Sequence, residues 1–297
     1  MTGNALGIIG GSGLGEAFAK RSGTDLVEID TPFGPPSGPI LRSRIGGMEC
    51  LFLSRHGPGH VHSPSRVPYR ANIFALKTLG VTQIIASGAT GSLRESIAPG
   101  DLVICDQVID KTYRREGTFF DEGLATHVEF ADPFCPRLRR ALLDAAGPID
   151  VKVHESGTYV CMEGPQFSTR AESHMHRQWG GDLIGMTCMP EAKLAREAEM
   201  CYALIALPTD YDCWRPKTDA KDRHALLSEI MANMKRAGDA AGALIDVVIG
   251  RLAKAADVRC ACHDALELAI WSDKSSVRPD VVKKLEPLIG RHFADKG

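Results

Sequence analysis

The sequence predicts an α/β protein built around a mainly parallel sheet. Short apolar runs rich in β-branched residues recur along the 297 residues, and helical patterns fall between several of them. That alternation is what helices layered on a parallel sheet produce. With 44% hydrophobic and 24% charged residues, the composition is that of a packed globular protein.

The predicted buried strands are Leu6 to Ile9, Cys50 to Leu53, Gln83 to Ala86, Leu102 to Ile109, Leu183 to Met186 and Tyr202 to Leu207. Tyr69 to Leu79 and Pro136 to Ala146 have helical spacing between them. From Ala225 to Val248 the apolar positions keep a helical period, which predicts a long helix covering the sheet. The Pro/Gly cluster Pro32 to Pro39 is an early loop that does not divide the chain. One domain over residues 1–297 is therefore expected, with 251–297 as a C-terminal helical extension. Its short helical patterns lie at Ala265 to Trp271 and Val281 to Leu288.

A net charge of −2, with no Lys/Arg block, offers nothing to a nucleic-acid backbone, although one or two placed cations suffice for a small anion. No apolar segment approaches the roughly 18 residues of a membrane span, and Met1 to Gly7 does not start like a secretion signal. A cytoplasmic protein is expected. Nine cysteines, an odd count, read as reduced thiols. Cys260, Cys262 and His263 suggest a metal, but no second Cys/His pair follows at finger-like spacing, so no metal site is expected.

Five segments can do chemistry. Ile8 to Gly15 runs a strand into a glycine-rich turn, where backbone amides and the Ser12 hydroxyl suit phosphate. A dinucleotide site is the rival, with Glu28 or Asp30 as its ribose acid, but Glu16 stands where the third glycine should be. In Ser54 to His60, Arg55 offers a fork of donors to an oxyanion and His56 a further donor. Gly88 and Ala89, in Ala86 to Leu93, can add backbone amides. Met186 and Thr187 end another strand, the first suited to a sugar face and the second to phosphate. Asp210 and Asp212 alternate along Leu207 to Trp214, so on a strand both would point to one side. Paired acids also suit a glycosidase or a metal, but neither accounts for the anion-friendly strand ends.

In this order the segments resemble the purine nucleoside phosphorylase superfamily, and within it the methylthioadenosine phosphorylase branch. The likeness runs from Gly7 to Trp214 and includes Asp30 to Gly34, Pro133 to Pro136, Glu163 to Ser168, Arg170 to Ser173 and Thr209 to Trp214. It implies an α/β/α sandwich around a distorted mixed sheet, assembled as a trimer or hexamer. It also implies that Ser12, Arg55, His56, Thr187 and the Gly88/Ala89 backbone hold phosphate, and that Met186 lies against the ribose. Phe167 would stack on the purine, whose polar edge would meet Ser168, Asp210 and Asp212.

Asp210 at the base-facing position favours 6-aminopurines and would act as the general acid. Gly88 departs from the family, where a hydroxyl residue often stands. His127 matches the contact that a neighbouring subunit makes with the 5′ end of the nucleoside. Counting on from Trp214, the 5′-pocket positions fall on Arg223 and Leu226. No metal or organic cofactor is implied, and phosphate is a co-substrate. The competing functions are an NAD-dependent oxidoreductase and a non-catalytic nucleoside-binding protein.

Overall fold

A computed structural model describes residues 5–215, 223–254 and 259–294. In chain order its first half contains β1 (Ala5–Gly10), α1 (Ser12–Ala19), β2 (Asp25–Val27), β3 (Ile40–Ile45), β4 (Met48–Ser54), α2 (Tyr69–Thr78), β5 (Val81–Ser92), β6 (Leu102–Ile104) and β7 (Gln107–Lys111). The second half contains α3 (Pro136–Ala145), β8 (Val153–His154), β9 (Thr158–Met162), α4 (Arg170–Gln178), β10 (Leu183–Gly185), α5 (Glu191–Glu197), β11 (Cys201–Asp210), α6 (Arg223–Leu252), α7 (Pro279–Lys284) and α8 (Glu286–Phe293).

The strands form one mixed sheet in the order β2-β3-β4-β1-β5-β10-β9-β7, and it branches at β5. The first part of β5 runs parallel to β1, and its last residues pair antiparallel with β10. Along nearly all its length β5 also pairs with β11, which leads on to β6 and β8. Strand alternation sends Leu204 and Ala206 of β11 into one apolar cluster and Ala203 and Ile205 into another. The first cluster takes α2, α5 and the C-terminal helices; the second takes α1, α3 and α6. Helices thus cover both faces, as the resemblance implies.

Three expectations need correction. The run Leu102 to Ile109 is two strands: it is interrupted at Cys105 and Asp106, where the Asp106 carboxylate accepts the Gly157 N–H at 2.8 Å. β6 then pairs with β11 and β8, whereas β7 pairs with β9. Ala265 to Trp271 is not a helix but a series of turns ending in a bridge between Ile270 and Thr126. Val281 to Leu288 is split between α7 and α8. The segment covers the core: Leu266, Val281, Leu285, Leu288 and Ile289 are all in the first core cluster. No helix among the described residues is long and apolar enough to cross a membrane.

Candidate active site

The candidate residues gather along the second half of β5, where β1 and β4 end near its middle and β10 and β11 end near Gly91, the side on which open α/β sheets place ligands. The glycine-rich turn is shorter than expected. Helix α1 begins at Ser12 immediately after Gly11, so Gly13 and Gly15 are helical. Gly15 serves packing: a Cβ there would stand 2.9 Å from the Phe52 ring. The backbone of Ser12 opens α1, and its side chain is outside the described residues.

Arg55 follows β4 and is 2% exposed. Its fork is not free for phosphate. Nε and Nη2 donate to Glu191 Oε2 and Oε1, each at 2.8 Å, and Nη1 donates to the Ser87 carbonyl at 2.8 Å. Burial alone would lower the Arg55 pKa, but the Glu191 carboxylate outweighs it and keeps the guanidinium charged. Of its five donors, one on Nη1 and one on Nη2 are unused by these bonds.

Thr187 Oγ1 is buried without a protein hydrogen-bond partner. Gly88 separates it from Arg55: a Cβ on Gly88 would stand 2.9 Å from Thr187 Oγ1 and 4.0 Å from Arg55 Nη1. The missing side chain at 88 therefore leaves a polar space lined by a guanidinium edge and an unpaired hydroxyl. Thr90, on the same face of β5 two residues on, carries a second buried hydroxyl without a partner. Buried polar groups are rarely left so, and two together mark a place for a polar ligand.

His56 differs from the expectation. Its Nδ1 lies 2.8 Å from the His62 carbonyl and must donate to it, which leaves Nε2 an acceptor in the neutral ring. Burial, with Arg55 and two further histidines nearby, lowers its pKa to about 4. The neutral side chain can accept from a protonated phosphate oxygen but does not donate through Nε2.

The carboxylates meet for a reason other than strand alternation. β11 stops at Asp210, and Asp212 stands in a turn at φ 50°, a conformation Asp tolerates better than most residues. There the Asp212 N–H donates to Asp210 Oδ1 at 2.7 Å, and Thr209 Oγ1 donates to Asp210 Oδ2 at 2.8 Å. The Ser173 hydroxyl donates to Asp212. Gly91 makes room, since a Cβ on it would stand 3.1 Å from Asp212 Cβ and 3.3 Å from Asp210 Oδ1. Burial and the Asp210 charge raise the Asp212 pKa against the Ser173 bond, so Asp212 is the carboxyl whose surroundings favour the proton.

Met186 packs under Gly164, where a Cβ would fall 2.6 Å from its sulfur. Ser168 bonds weakly to the Met162 sulfur, and the Cys213 thiol donates to its carbonyl at 3.3 Å, which brings the loop before α4 against the Asp212 turn. Phe167 on that loop is 84% exposed, so within one chain nothing encloses its ring. His127 does not join the cluster. It packs on Trp271, with ring centroids 4.6 Å apart, and its N–H donates to the Ala269 carbonyl. Leu226 is exposed on α6. It shares a helix face with Asn233, two turns on, whose amide donates to the Thr209 carbonyl beside Asp210. The Arg223 side chain is outside the described residues.

The model of the phosphorylase superfamily matches residues 5–250. The chain belongs to that superfamily. This superfamily member is 46% identical to an S-methyl-5′-thioadenosine phosphorylase of Cereibacter sphaeroides, over 96% of this chain and 97% of the relative. To the protein of that name from Thermosynechococcus vestitus it is 45% identical, over 97% and 99%. Among solved structures, a methylthioadenosine phosphorylase from an antarctic soil metagenomic library superposes with a TM-score of 0.87 at 43% identity, covering 97% of this chain and 99% of that one. A mutant adenosine/methylthioadenosine phosphorylase of Schistosoma mansoni in complex with methylthioadenosine gives 0.79 at 34%, covering 93% and 99%. The dinucleotide reading finds no support in these likenesses.

Sequence reasoning missed the residues that hold this superfamily member's site in shape. Glu191 orients Arg55 and accepts from the Tyr202 hydroxyl at 2.8 Å. Arg115, whose side chain is buried, donates to the carbonyls of Met186, Met189 and Glu163 at 2.5–2.6 Å, tying the Met186 segment to the Gly164 loop. Thr90 and Ser173 lie inside segments that the sequence singles out, Ala86 to Leu93 and Arg170 to Ser173, but received no role there. Such residues carry no chemistry by themselves; only the fold shows their partners.

The His56 shift makes a pH prediction. The unfolded residue titrates near 6.5 and the folded one near 4, so between these values the unfolded chain binds more protons. Stability is thereby lost as pH falls from 6.5 toward 4. Glu197, raised by burial from 4.5 to about 7, works the other way, because the folded chain binds more protons as pH rises through that range. His56→Gln removes only the first effect. In phosphate-free urea titrations the variant should gain about 2 kcal/mol relative to the unsubstituted chain between about pH 7.5 and pH 5. A difference that does not change with pH would show that His56 is not neutral in the fold.

Proposed function

We propose that this chain cleaves the N-glycosidic bond of 5′-methylthioadenosine with phosphate, giving adenine and 5-methylthioribose 1-phosphate, and uses adenosine as a secondary substrate. The observation that carries the reading is the unpaired Thr187 hydroxyl facing the Arg55 edge across Gly88 of β5, the strand whose Gly91 pairs with Asp210. A phosphate between Arg55 and Thr187 would satisfy both. As the C1′–N9 bond breaks, its electron pair moves into the purine and a phosphate oxygen bonds to C1′. Charge on both fragments is then compensated, by phosphate on the sugar side and by a proton from the carboxyl pair at N7. Asp210 faces the base as the donor; Asp212, whose backbone N–H donates to Asp210, orients it or accepts from the 6-amino group. Phosphate is the co-substrate, and no metal or organic cofactor enters the reaction.

The names of the relatives support methylthioadenosine, and that of the Schistosoma mansoni enzyme supports adenosine beside it. The same proposal includes assembly as a trimer or hexamer. The uncovered ring of Phe167 and the exposed Leu226, Leu227 and Met231 of α6 support a neighbouring chain there, with His127 as its contribution. A cytoplasmic location fits nine free cysteines.

Rates on methylthioadenosine, adenosine and inosine test the substrate assignment. Methylthioadenosine should lead adenosine by on the order of 10- to 200-fold in kcat/KM, as an apolar pocket discriminates, with inosine poor. Leu226→Ser should narrow the gap by raising the methylthioadenosine KM. Inosine as the best substrate, or no turnover of adenosine, would contradict it.

A further inference from the structure

The fold gathers four thiols that the reaction does not use. The Sγ atoms of Cys135, Cys201, Cys260 and Cys262 all lie within 4.8 Å of one another. They come from the N-cap of α3, the start of β11 and the segment after α6. The expectation of no metal sought a second pair close in sequence; here Cys135 and Cys201 supply it, Cys135 from 125 residues before Cys260. We propose that the four cysteines form a structural tetrathiolate site for Zn²⁺.

The geometry is close to what zinc needs. A Zn–S bond of about 2.3 Å sets the sulfurs of a regular tetrahedron roughly 3.8 Å apart. Cys135 and Cys260 are already at 3.6 Å, and the largest separation needs only a small contraction. Donors also point at the sulfurs: the Leu138 N–H to Cys135 at 3.5 Å, and Arg137 Nη2 to Cys201 at 3.4 Å. Such bonds, with the Arg137 charge, offset the excess negative charge of four thiolates on a divalent ion. The His263 ring lies 3.5 Å from the Cys201 sulfur. Cys135, Cys201 and Cys262 are buried, and the half-buried Cys260 is the side of entry.

On binding, each thiol releases its proton to solvent and the metal keeps its oxidation state, so no oxidant is required. A structural site has all four positions filled by protein and leaves none for substrate. Distance agrees: Cys201 begins and Asp210 ends the ten-residue β11, which sets them about 30 Å apart. Zinc here would pin the segment around Cys260 and Cys262 to α3 and β11.

The test uses the full chain purified under reducing conditions without chelator. Metal analysis should find about one zinc per chain. Replacing zinc by Co²⁺ should give the strong visible bands of tetrahedral cobalt thiolate, and Cys260→Ser/Cys262→Ser should abolish them. Chelation should lower the melting temperature of the unsubstituted chain by about 5 °C or more and leave that variant unmoved. If the double variant does not fold, Cys260→Ser alone, at the half-buried position, should weaken and shift the cobalt bands. A zinc-free chain with a featureless cobalt titration overturns the proposal. So does alkylation mass spectrometry showing these cysteines paired as disulfides.

Discussion

Asp210→Asn is expected to lower kcat on methylthioadenosine and adenosine by about 10²- to 10⁴-fold, the usual loss when a positioned acid is removed. The fold should survive. The amide keeps one oxygen for the Asp212 N–H, and Thr209 Oγ1, which now donates to Asp210, has the Thr90 carbonyl at 3.3 Å as an alternative acceptor. What it loses is the proton for N7. An amide NH₂ can still hydrogen-bond N7, and its carbonyl can face the N1–H side of a 6-oxopurine, so relative preference should move toward inosine. Steady-state kinetics on the three nucleosides, beside a denaturation curve, separates this from unfolding. Wild-type rates on adenine nucleosides would remove Asp210 from the chemistry.

Arg55→Ala should do two kinds of damage. It strands the Glu191 carboxylate, buried and no longer neutralised, and breaking such a pair costs about 3–5 kcal/mol. That is a large part of the stability of an ordinary domain. It also removes the guanidinium edge facing Thr187, worth about 2 kcal/mol or more, or roughly 30-fold in phosphate affinity. Arg55→Met/Glu191→Met tells the two apart. With both charges gone, stability should return toward that of the unsubstituted chain, because well-packed apolar replacements of a buried pair are often neutral. The phosphate KM should stay high. If the double variant recovers both stability and phosphate use, Arg55 is a structural residue only.

Much of the fold was legible because the central strands are buried on both faces and so read as unbroken apolar runs, as in β1, β4 and β11. The edge was harder. β3 alternates only partly, and the Gly46-Gly47 pair that closes its hairpin with β4, both at positive φ, was an unused signal. The break between β6 and β7 falls at Asp106, whose bonding partner is 51 positions away.

At the site, strand-end position made Arg55, Thr187 and the two aspartates recognisable. Their relations were not. Glu191 takes the Arg55 fork, a carbonyl fixes the His56 tautomer, and a turn brings Asp212 to Asp210. The cysteine cluster was hidden for the same reason, since its four thiols come from three separate segments.

The central claim is that phosphate, not water, takes the sugar. The direct measurement is methylthioadenosine turnover in ¹⁸O-labelled water with and without phosphate, analysing the sugar by mass spectrometry. The account predicts no turnover without phosphate and, with it, adenine plus an unlabelled 5-methylthioribose 1-phosphate in equal amounts. Adenine released at the same rate without phosphate, with ¹⁸O in a free 5-methylthioribose, would contradict it.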